Sequence, residues 1–389
     1  MSPLSQQRAL LLQSKQGEFA VGTRNVPQPK PGEILVKNEA VALNPLDWKI
    51  QALGIIVQDY PAVIGIHAAG VVEAVGDGVE TWKPGARVFV RITSEQELLT
   101  KGASRLYQGD LENDHGTYQQ YTLIDAKLVA KVIRPTQVSE TAAYTSLFEI
   151  PNAMSFEDAA SLPLAIATGA VGLYHVQGGP RFDPPWKEGA RGKYAGTPLV
   201  IMGGACTNGS LAIQWARLSG FSPIIATASL KNEEYLRSLG ATHVLDRELF
   251  ASELFTQVNK IAGGRVPVVY DAISTAATQN AAFDLLSPGG RLLIVTPNAL
   301  DEDRKARASE EGDGRAVVNV LGIVQIPFLR PFGEELFAHL CALLEEGAFK
   351  PPRVQVIPGG LSGIAAGLEK LQDGEVSAQK LVVRPAETR

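Results

Sequence analysis

The sequence predicts an α/β protein in two parts, a β-rich N-terminal part that closes partly into a barrel and a doubly wound parallel sheet after it. Three observations carry this. Between about residue 8 and residue 90, short runs rich in β-branched residues, such as Gly-Val-Val-Glu-Ala-Val-Gly at 70–76 and Ala-Arg-Val-Phe-Val at 86–90, are bounded by glycine and proline. At 199–202 the apolar run Leu-Val-Ile-Met enters a small-residue turn, and Leu211, Ile213, Trp215, Ala216 and Leu218 then recur at helical spacing up to Gly220. Beyond it, strand-type runs at 223–228, 241–247, 267–273 and 290–296 alternate with helical stretches, the progression of a parallel sheet.

Composition bounds the function classes. The chain has 389 residues, 45% hydrophobic and 20% charged, which is enough for two domains with real cores. A formal net charge of -5 without a basic run argues against nucleic acid or an anionic membrane as the main partner. Apolar runs fall short of the roughly 18 residues of a spanning helix, and the first residues hold too short an apolar core for a signal peptide. The two cysteines, Cys206 and Cys341, fit a reducing compartment and cannot build a cysteine-rich zinc site, so a cytoplasmic protein is expected.

The turn after 199–202 carries the first chemistry. A helix starting there aims its free N–H groups and dipole at whatever lies over the turn, and a pyrophosphate is the usual occupant. The positions Gly204, Cys206 and Gly209 match G-x-G-x-x-G with cysteine in the middle, and Ala205, Cys206, Thr207 and Asn208 are the expected phosphate contacts. The plain alternative is a glycine-rich turn that binds nothing. The strand at 223–228 ends in Thr227, Ala228 and Ser229, where an NAD enzyme would place an acid for the ribose hydroxyls. Ser229, Leu230, Lys231 and Asn232 offer a hydroxyl, a cation and an amide, which suit a 2′-phosphate and predict NADPH over NADH. Alternatively Lys231 is a solvated residue opening the helix at 232–239. Arg247, after the next strand, is in reach of adenosine.

Three N-terminal segments, Val-Ala-Leu-Asn-Pro-Leu-Asp-Trp-Lys at 41–49, Ile-Gly-Ile-His-Ala-Ala-Gly at 64–70 and Gly-Thr-Tyr-Gln-Gln-Tyr at 116–121, resemble in order and spacing the GroES-like domain of the medium-chain dehydrogenase/reductase superfamily. The resemblance covers nearly the whole chain. It implies a GroES-like catalytic domain over 1–160 with a C-terminal return at 318–389, and a Rossmann NADP-binding domain over 161–317. Zinc alcohol dehydrogenases carry a catalytic cysteine where this chain has Asn44 and a ligand histidine where it has Ile66; His67 is one place late and is read as structural or pocket-lining. The stretch 91–115 holds no cysteine, which removes the structural zinc as well, so no metal is expected.

The hexapeptide at 44–49 is similar to the Asn-Pro-x-Asp-x-Lys of fungal trans-acting enoyl reductases, the stand-alone partners of polyketide synthases, where it lines the nicotinamide cleft. That resemblance implies cofactor contacts for Asn44, Pro45, Leu46 and Asp47, and catalysis by Lys49, which polarises a carbonyl or holds a proton-delivering water. The alternative is a turn with Asp47 bonded to backbone and Lys49 solvated. Thr168 matches a nicotinamide-contacting, catalytic threonine, or else is a helix-interior hydroxyl bonded back to the chain. Val376 and Ser377 match residues that approach the cofactor. The implied activity is zinc-independent, NADPH-dependent reduction of an enoyl or enone C=C bond; a quinone oxidoreductase and a non-catalytic relative are the alternatives. The implied partners are a small or carrier-bound substrate and a polyketide synthase, and the chain is a monomer or a homodimer.

Some stretches depart from the family pattern. Residues 132–149 intervene where the pattern runs straight on, and are expected to be a poorly ordered loop or translated intron; 92–105 has a similar look. Residues 177–197, rich in Gly, Pro and charge, are expected to form a long exposed loop, and 301–315 a solvated one. The apolar 317–328 is either a wall of the substrate site or a core strand, and 334–347 an amphipathic helix.

Overall fold

The computed structural model describes residues 5–80, 82–91, 113–126, 148–149, 154–175, 179–309, 313–324 and 327–389. In chain order the first part contains β1 (Gln6–Leu12), β2 (Phe19–Asn25), β3 (Glu33–Ala42), α1 (Pro45–Leu53), β4 (Ala62–Val63), β5 (His67–Val75), β6 (Arg87–Arg91), β7 (Tyr121–Asp125), β8 (Phe148–Glu149) and α2 (Phe156–Ala160). The middle part runs α3 (Pro163–Tyr174), β9 (Leu199–Met202), α4 (Thr207–Ser219), β10 (Ile224–Ala228), α5 (Glu233–Leu239), β11 (His243–Asp246), α6 (Ala251–Ala262), β12 (Val266–Asp271), α7 (Ala276–Leu285), β13 (Leu286–Ile294), α8 (Glu302–Arg307) and β14 (Ala316–Asn319). The chain closes with α9 (Arg330–Glu345), β15 (Val354–Val356), α10 (Ile364–Gln372) and β16 (Lys380–Val383). Contacts divide it into two compact units, Met1–Leu164 with Val324–Glu345 and Pro351–Arg389, and Ala165–Ile323 with Glu346–Lys350.

In the first unit β3 is the central strand. It pairs antiparallel with β5, β7 and the C-terminal β16, so the end of the chain is built into the same sheet as residues 33–42. A second small sheet, β2-β1-β4, packs Leu10 and Leu12 into a core with Val41, Leu43, Ile50, Tyr118, Ile364 and Leu381. The segment 113–120 has little regular structure and is held by backbone bonds to its neighbours, such as Tyr118 N–H to the Ile64 carbonyl (2.9 Å), and by side chains. Arg24 donates to the Asn113 carbonyl (2.7 Å), to Gln119 Oε1 (2.8 Å) and to Asp114 (2.8 Å), and Gln119 Nε2 donates to the Asn113 and Gly116 carbonyls. Buried amides satisfied in this way fix a loop nearly as firmly as a strand ladder would.

The second unit is a six-stranded, all-parallel sheet in the order β11-β10-β9-β12-β13-β14. Numbered from β9, that is 3-2-1-4-5-6, and the order reverses between β9 and β12; ligands of such sheets bind outside the carboxyl ends of the strands at that point. β9 and β10 are buried along their whole length, as strands covered by helices on both faces must be. Gly169 of α3 lies against Trp215 of α4, where a Cβ would come within 2.8 Å of Trp215 Cδ1, and Trp215 Nε1 donates to the Ile166 carbonyl (2.9 Å). This close approach seats the two helices on each other.

Several expectations are corrected. Over its described residues 179–197 the stretch expected as a long exposed loop has no helix or strand and is exposed in large part, but it is anchored by aromatics: Phe182 packs against Phe221 (4.8 Å between ring centroids), Trp186 against Trp215 (5.7 Å) and Tyr194 against Phe221 (5.2 Å). Its glycines, prolines and charges mask three aromatics that supply the apolar area. The charge-dense 301–315 holds helix α8: Asp301 caps it by accepting from the Arg304 N–H (3.0 Å), acids lead and bases trail along the helix dipole, and Arg304 pairs with Asp284 and Asp301. The helix expected over 334–347 begins at Arg330, whose guanidinium pairs with Glu334 one turn on. Of 317–328, the first residues belong to the edge strand β14. Residues 92–105 and 132–147 lie outside the described residues; Phe148–Glu149 is a short strand paired with β6, so the end of that stretch is not loop.

Candidate active site

Two turn-to-helix junctions carry the candidate residues, one in each unit. In the first unit, Asn44 precedes α1 with extended backbone (φ -130°), Pro45 opens the helix, and Asp47 follows in its first turn. Asp47 is fully buried. Its Oδ2 accepts from the Asn44 backbone N–H (2.7 Å) and from the Tyr118 hydroxyl (2.7 Å), while its Oδ1 has no hydrogen-bond partner among the described residues. Burial lifts the Asp47 carboxyl to about 6, with the Tyr118 and Asn44 bonds and the charge of Lys380 pulling the other way. Burial and the Asp47 carboxylate together push the Tyr118 hydroxyl well above its usual range. Lys380 of β16, also buried, donates from Nζ to Asn44 Oδ1 (2.6 Å). Pro45 is exposed, Leu46 is half-buried, and Lys49 is half-buried with Nζ 5.7 Å from the centroid of the Trp48 ring.

In the second unit, β9 ends at Met202, Gly203 turns with φ +74°, and α4 begins at Thr207. Gly209 is required by close approach, because a Cβ there would lie 2.3 Å from the Gly203 carbonyl oxygen. The cysteine that replaces the middle glycine of the motif is the helix cap: Cys206 Sγ accepts from the Gly209 N–H (3.3 Å) and lies 3.8 Å from the Ala272 carbonyl. Burial raises the thiol above its ordinary range, so it stays protonated. Of the four residues expected to hold phosphate, Cys206 already gives its N–H to the Gly203 carbonyl (3.0 Å), while Ala205, Thr207 and Asn208 border the turn half-buried.

The residues after β10 stand at its carboxyl end. Thr227 Oγ1 accepts from the Gly203 N–H (3.0 Å), which ties the two turns together, and Asn232 begins α5. Leu230 and Lys231 are exposed, Ser229 is half-buried, and the acid nearest in register to this strand end is Asp246 of β11, which pairs with Ala228. Arg247 is exposed and pairs with Glu248 (2.9 Å). Thr168 is buried within α3, and Val376 and Ser377 lie half-buried between α10 and β16. The structure thus brings Asn44 and Asp47 together in one unit, and the 203–209 turn together with Thr227–Asn232 in the other. Helix amides with hydroxyl and amide side chains beside them are the kind of donors that the phosphates of a nicotinamide dinucleotide need.

Residues 30–134 match the model of the alcohol dehydrogenase GroES-like domain, and 209–306 that of the zinc-binding dehydrogenase. Dehydrogenase orsE of Emericella nidulans is 31% identical over 94% of this chain and 95% of its own, and trans-enoyl reductase resD of Aspergillus sclerotiorum is 30% identical over 94% and 96%. The chain belongs to the medium-chain dehydrogenase/reductase superfamily. Within that family of oxidoreductases it groups with the fungal trans-enoyl reductases. A mycobacterial protein solved with NADPH shares its fold, with a TM-score of 0.71 and 21% identity over 97% of this chain and all of the other. Despite the second model's description, no cluster of three or more His, Cys, Asp or Glu side chains is arranged to hold a metal among the described residues. His67 is buried in β5.

Sequence reasoning missed three residues of this superfamily member's candidate site. Tyr118 sits in the Gly-Thr-Tyr segment at 116–118, noticed for its family resemblance and given no role. Lys380 lies 336 residues from the amide it touches, and no local pattern marks it. Asp271 ends β12 beside Met202, fully buried, with Oδ1 accepting from the Ile273 and Ser274 N–H groups, and burial raises its carboxyl. A buried acid in an otherwise apolar strand was the available signal.

Proposed function

We propose that this chain is a zinc-independent reductase that uses NADPH to saturate an activated C=C bond, an enoyl or enone, in the cytoplasm. The observation that carries the reading is the full-length similarity to a trans-enoyl reductase, and the residues support it. The second unit, with Ala205, Cys206, Thr207 and Asn208 at the pyrophosphate and Ser229, Leu230, Lys231, Asn232 and Arg247 at the adenosine end, is the cofactor-binding part. The first unit is the catalytic part, with Asn44, Pro45, Leu46, Asp47, Val376 and Ser377 toward the nicotinamide end.

When bound, NADPH would supply a hydride for the β carbon of the alkene; the C=C π pair then becomes the bond between the α carbon and the carbonyl carbon, and the carbonyl π pair moves onto oxygen to give an enolate. Lys49 polarises that oxygen or holds the water that delivers a proton, the proton taken up at the α carbon completes the reduction, and Thr168 is the nicotinamide-contacting threonine. Asp47, buried and bonded to Tyr118, keeps the Asn44 turn in place. The proposed substrate is small or carrier-bound, with a polyketide synthase as partner.

NADPH oxidation with an enoyl thioester, compared with a simple quinone, tests the reading. Turnover of the thioester and none of the quinone is expected; the reverse assigns the chain as a quinone reductase. No change in melting temperature with either NADPH or NADH makes it a non-catalytic relative. In the active case Lys49→Met is expected to lower turnover roughly 10- to 100-fold with little change in NADPH affinity.

A further inference from the structure

The Asn44 side chain is set by a group from the far end of the chain. Lys380 Nζ reaches its Oδ1 at 2.6 Å, and both residues are buried. An ammonium only donates, so the atom it meets must be the amide oxygen, and the NH2 is fixed on the other edge. That NH2 is loosely held, at 3.3 Å from the Ala42 carbonyl and 3.5 Å from Asp47 Oδ2, both at the long limit for a hydrogen bond. An acceptor brought to that edge has only these two long bonds to replace.

The ammonium has a second effect. The Asp47 carboxylate beneath Asn44 is faced by the Tyr118 hydroxyl and by the charge of Lys380, and a buried carboxylate needs such compensation to stay ionised. Two residues before Lys380, Ala378 takes φ +53°, a left-handed conformation that disfavours a side chain and that the surrounding structure must hold.

We propose that Lys380 is a positioning residue: it dictates the orientation of the Asn44 amide so that the NH2 edge is the one offered to an acceptor on the nicotinamide end of NADPH, the carboxamide oxygen. Tyr118 supports it from below by holding Asp47. The inference rests on the proposed assignment of Asn44 to the cofactor.

The test is a double-mutant cycle on the full chain, read as the NADPH dissociation constant by fluorescence, with melting temperature confirming that each variant folds. Asn44→Ala and Lys380→Met are each expected to weaken NADPH about tenfold. The double variant is expected to bind no worse than Asn44→Ala alone, since the effect of Lys380 on the cofactor is proposed to pass through the Asn44 amide. Losses that multiply in the double variant, or full affinity in Lys380→Met, overturn the inference. Failure of the underlying assignment looks different: wild type then does not bind NADPH, or Asn44→Ala binds as wild type does. Should Lys380→Met not fold, Lys380→Gln carries the test, because its amide both donates and accepts and no longer dictates the orientation. Weaker binding by several-fold supports the inference and undiminished binding overturns it.

Discussion

The two turn-to-helix junctions of this protein are built in opposite ways. The 203–209 turn is held by its neighbours in sequence: a glycine with positive φ, a thiol three residues from the N–H it caps, and a threonine 24 residues away on the next strand. The Asn44–Asp47 turn is held by side chains from far along the chain, Tyr118 at 71 residues and Lys380 at 336. The first junction is secured by backbone sterics. The second is a buried polar network whose members depend on each other, and such networks shift together when one member changes. The contrast teaches that a glycine-rich turn can lose a motif residue and keep its shape, whereas the polar turn has no local substitute for a missing partner.

The contrast can be broken from the second unit first. Gly209→Val places a Cβ 2.3 Å from the Gly203 oxygen and 2.8 Å from Gly204 Cα, contacts that backbone cannot yield to. We expect a loss of about 3 kcal/mol or more in urea unfolding, with NADPH binding abolished. A folded variant of wild-type stability would show that this turn is not sterically determined.

Asp47 sharpens the other side. Its folded-state value of about 6 lies above the ordinary 3.8, so between those pH values the folded chain keeps a proton that the unfolded chain has released. Stability therefore falls as pH rises from about 4 to about 6, by about 3 kcal/mol, and this contribution is constant above that window. Asp47→Asn removes this slope. Denaturant unfolding of both proteins at pH 4 and pH 7 measures it, and equal slopes would mean that the carboxyl is not the buried, perturbed acid described above.

Smaller effects are expected at the edges of the second junction. Ser229→Asp introduces the acid that this strand end lacks, and should shift the ratio of NADPH to NADH dissociation constants about tenfold or more toward NADH, about 1.4 kcal/mol. An unchanged ratio would place the 2′-phosphate elsewhere. Cys206→Ala removes the cap and should cost about 1 kcal/mol, while Cys206→Ser, which keeps a hydrogen-bond acceptor, should cost less. Equal losses in thermal unfolding would indicate that the thiol serves packing and not capping.

What the sequence determined by itself is the part governed by short-range rules. The strand, turn and helix at 199–220 follow from apolar periodicity and glycine placement, and the alternation of strands and helices after it sets a parallel sheet. The missing acid after Ala228 is equally legible, since it is one residue type at one strand end. Where composition masked pattern, the reading was incomplete: Phe182, Trp186 and Tyr194 anchor a loop whose glycines and charges suggested exposure alone, and the charges of 301–307 are a capped helix.

Only the tertiary structure decided that Lys380 meets Asn44, that Tyr118 donates to Asp47, and that the Cys206 thiol caps α4. Periodicity reports which face of an element is apolar, so it locates cores and helices. It holds no information on which buried polar atom finds which partner across hundreds of residues. That pairing is fixed when β16 joins β3, bringing an ammonium to an amide that would otherwise lose its water unanswered.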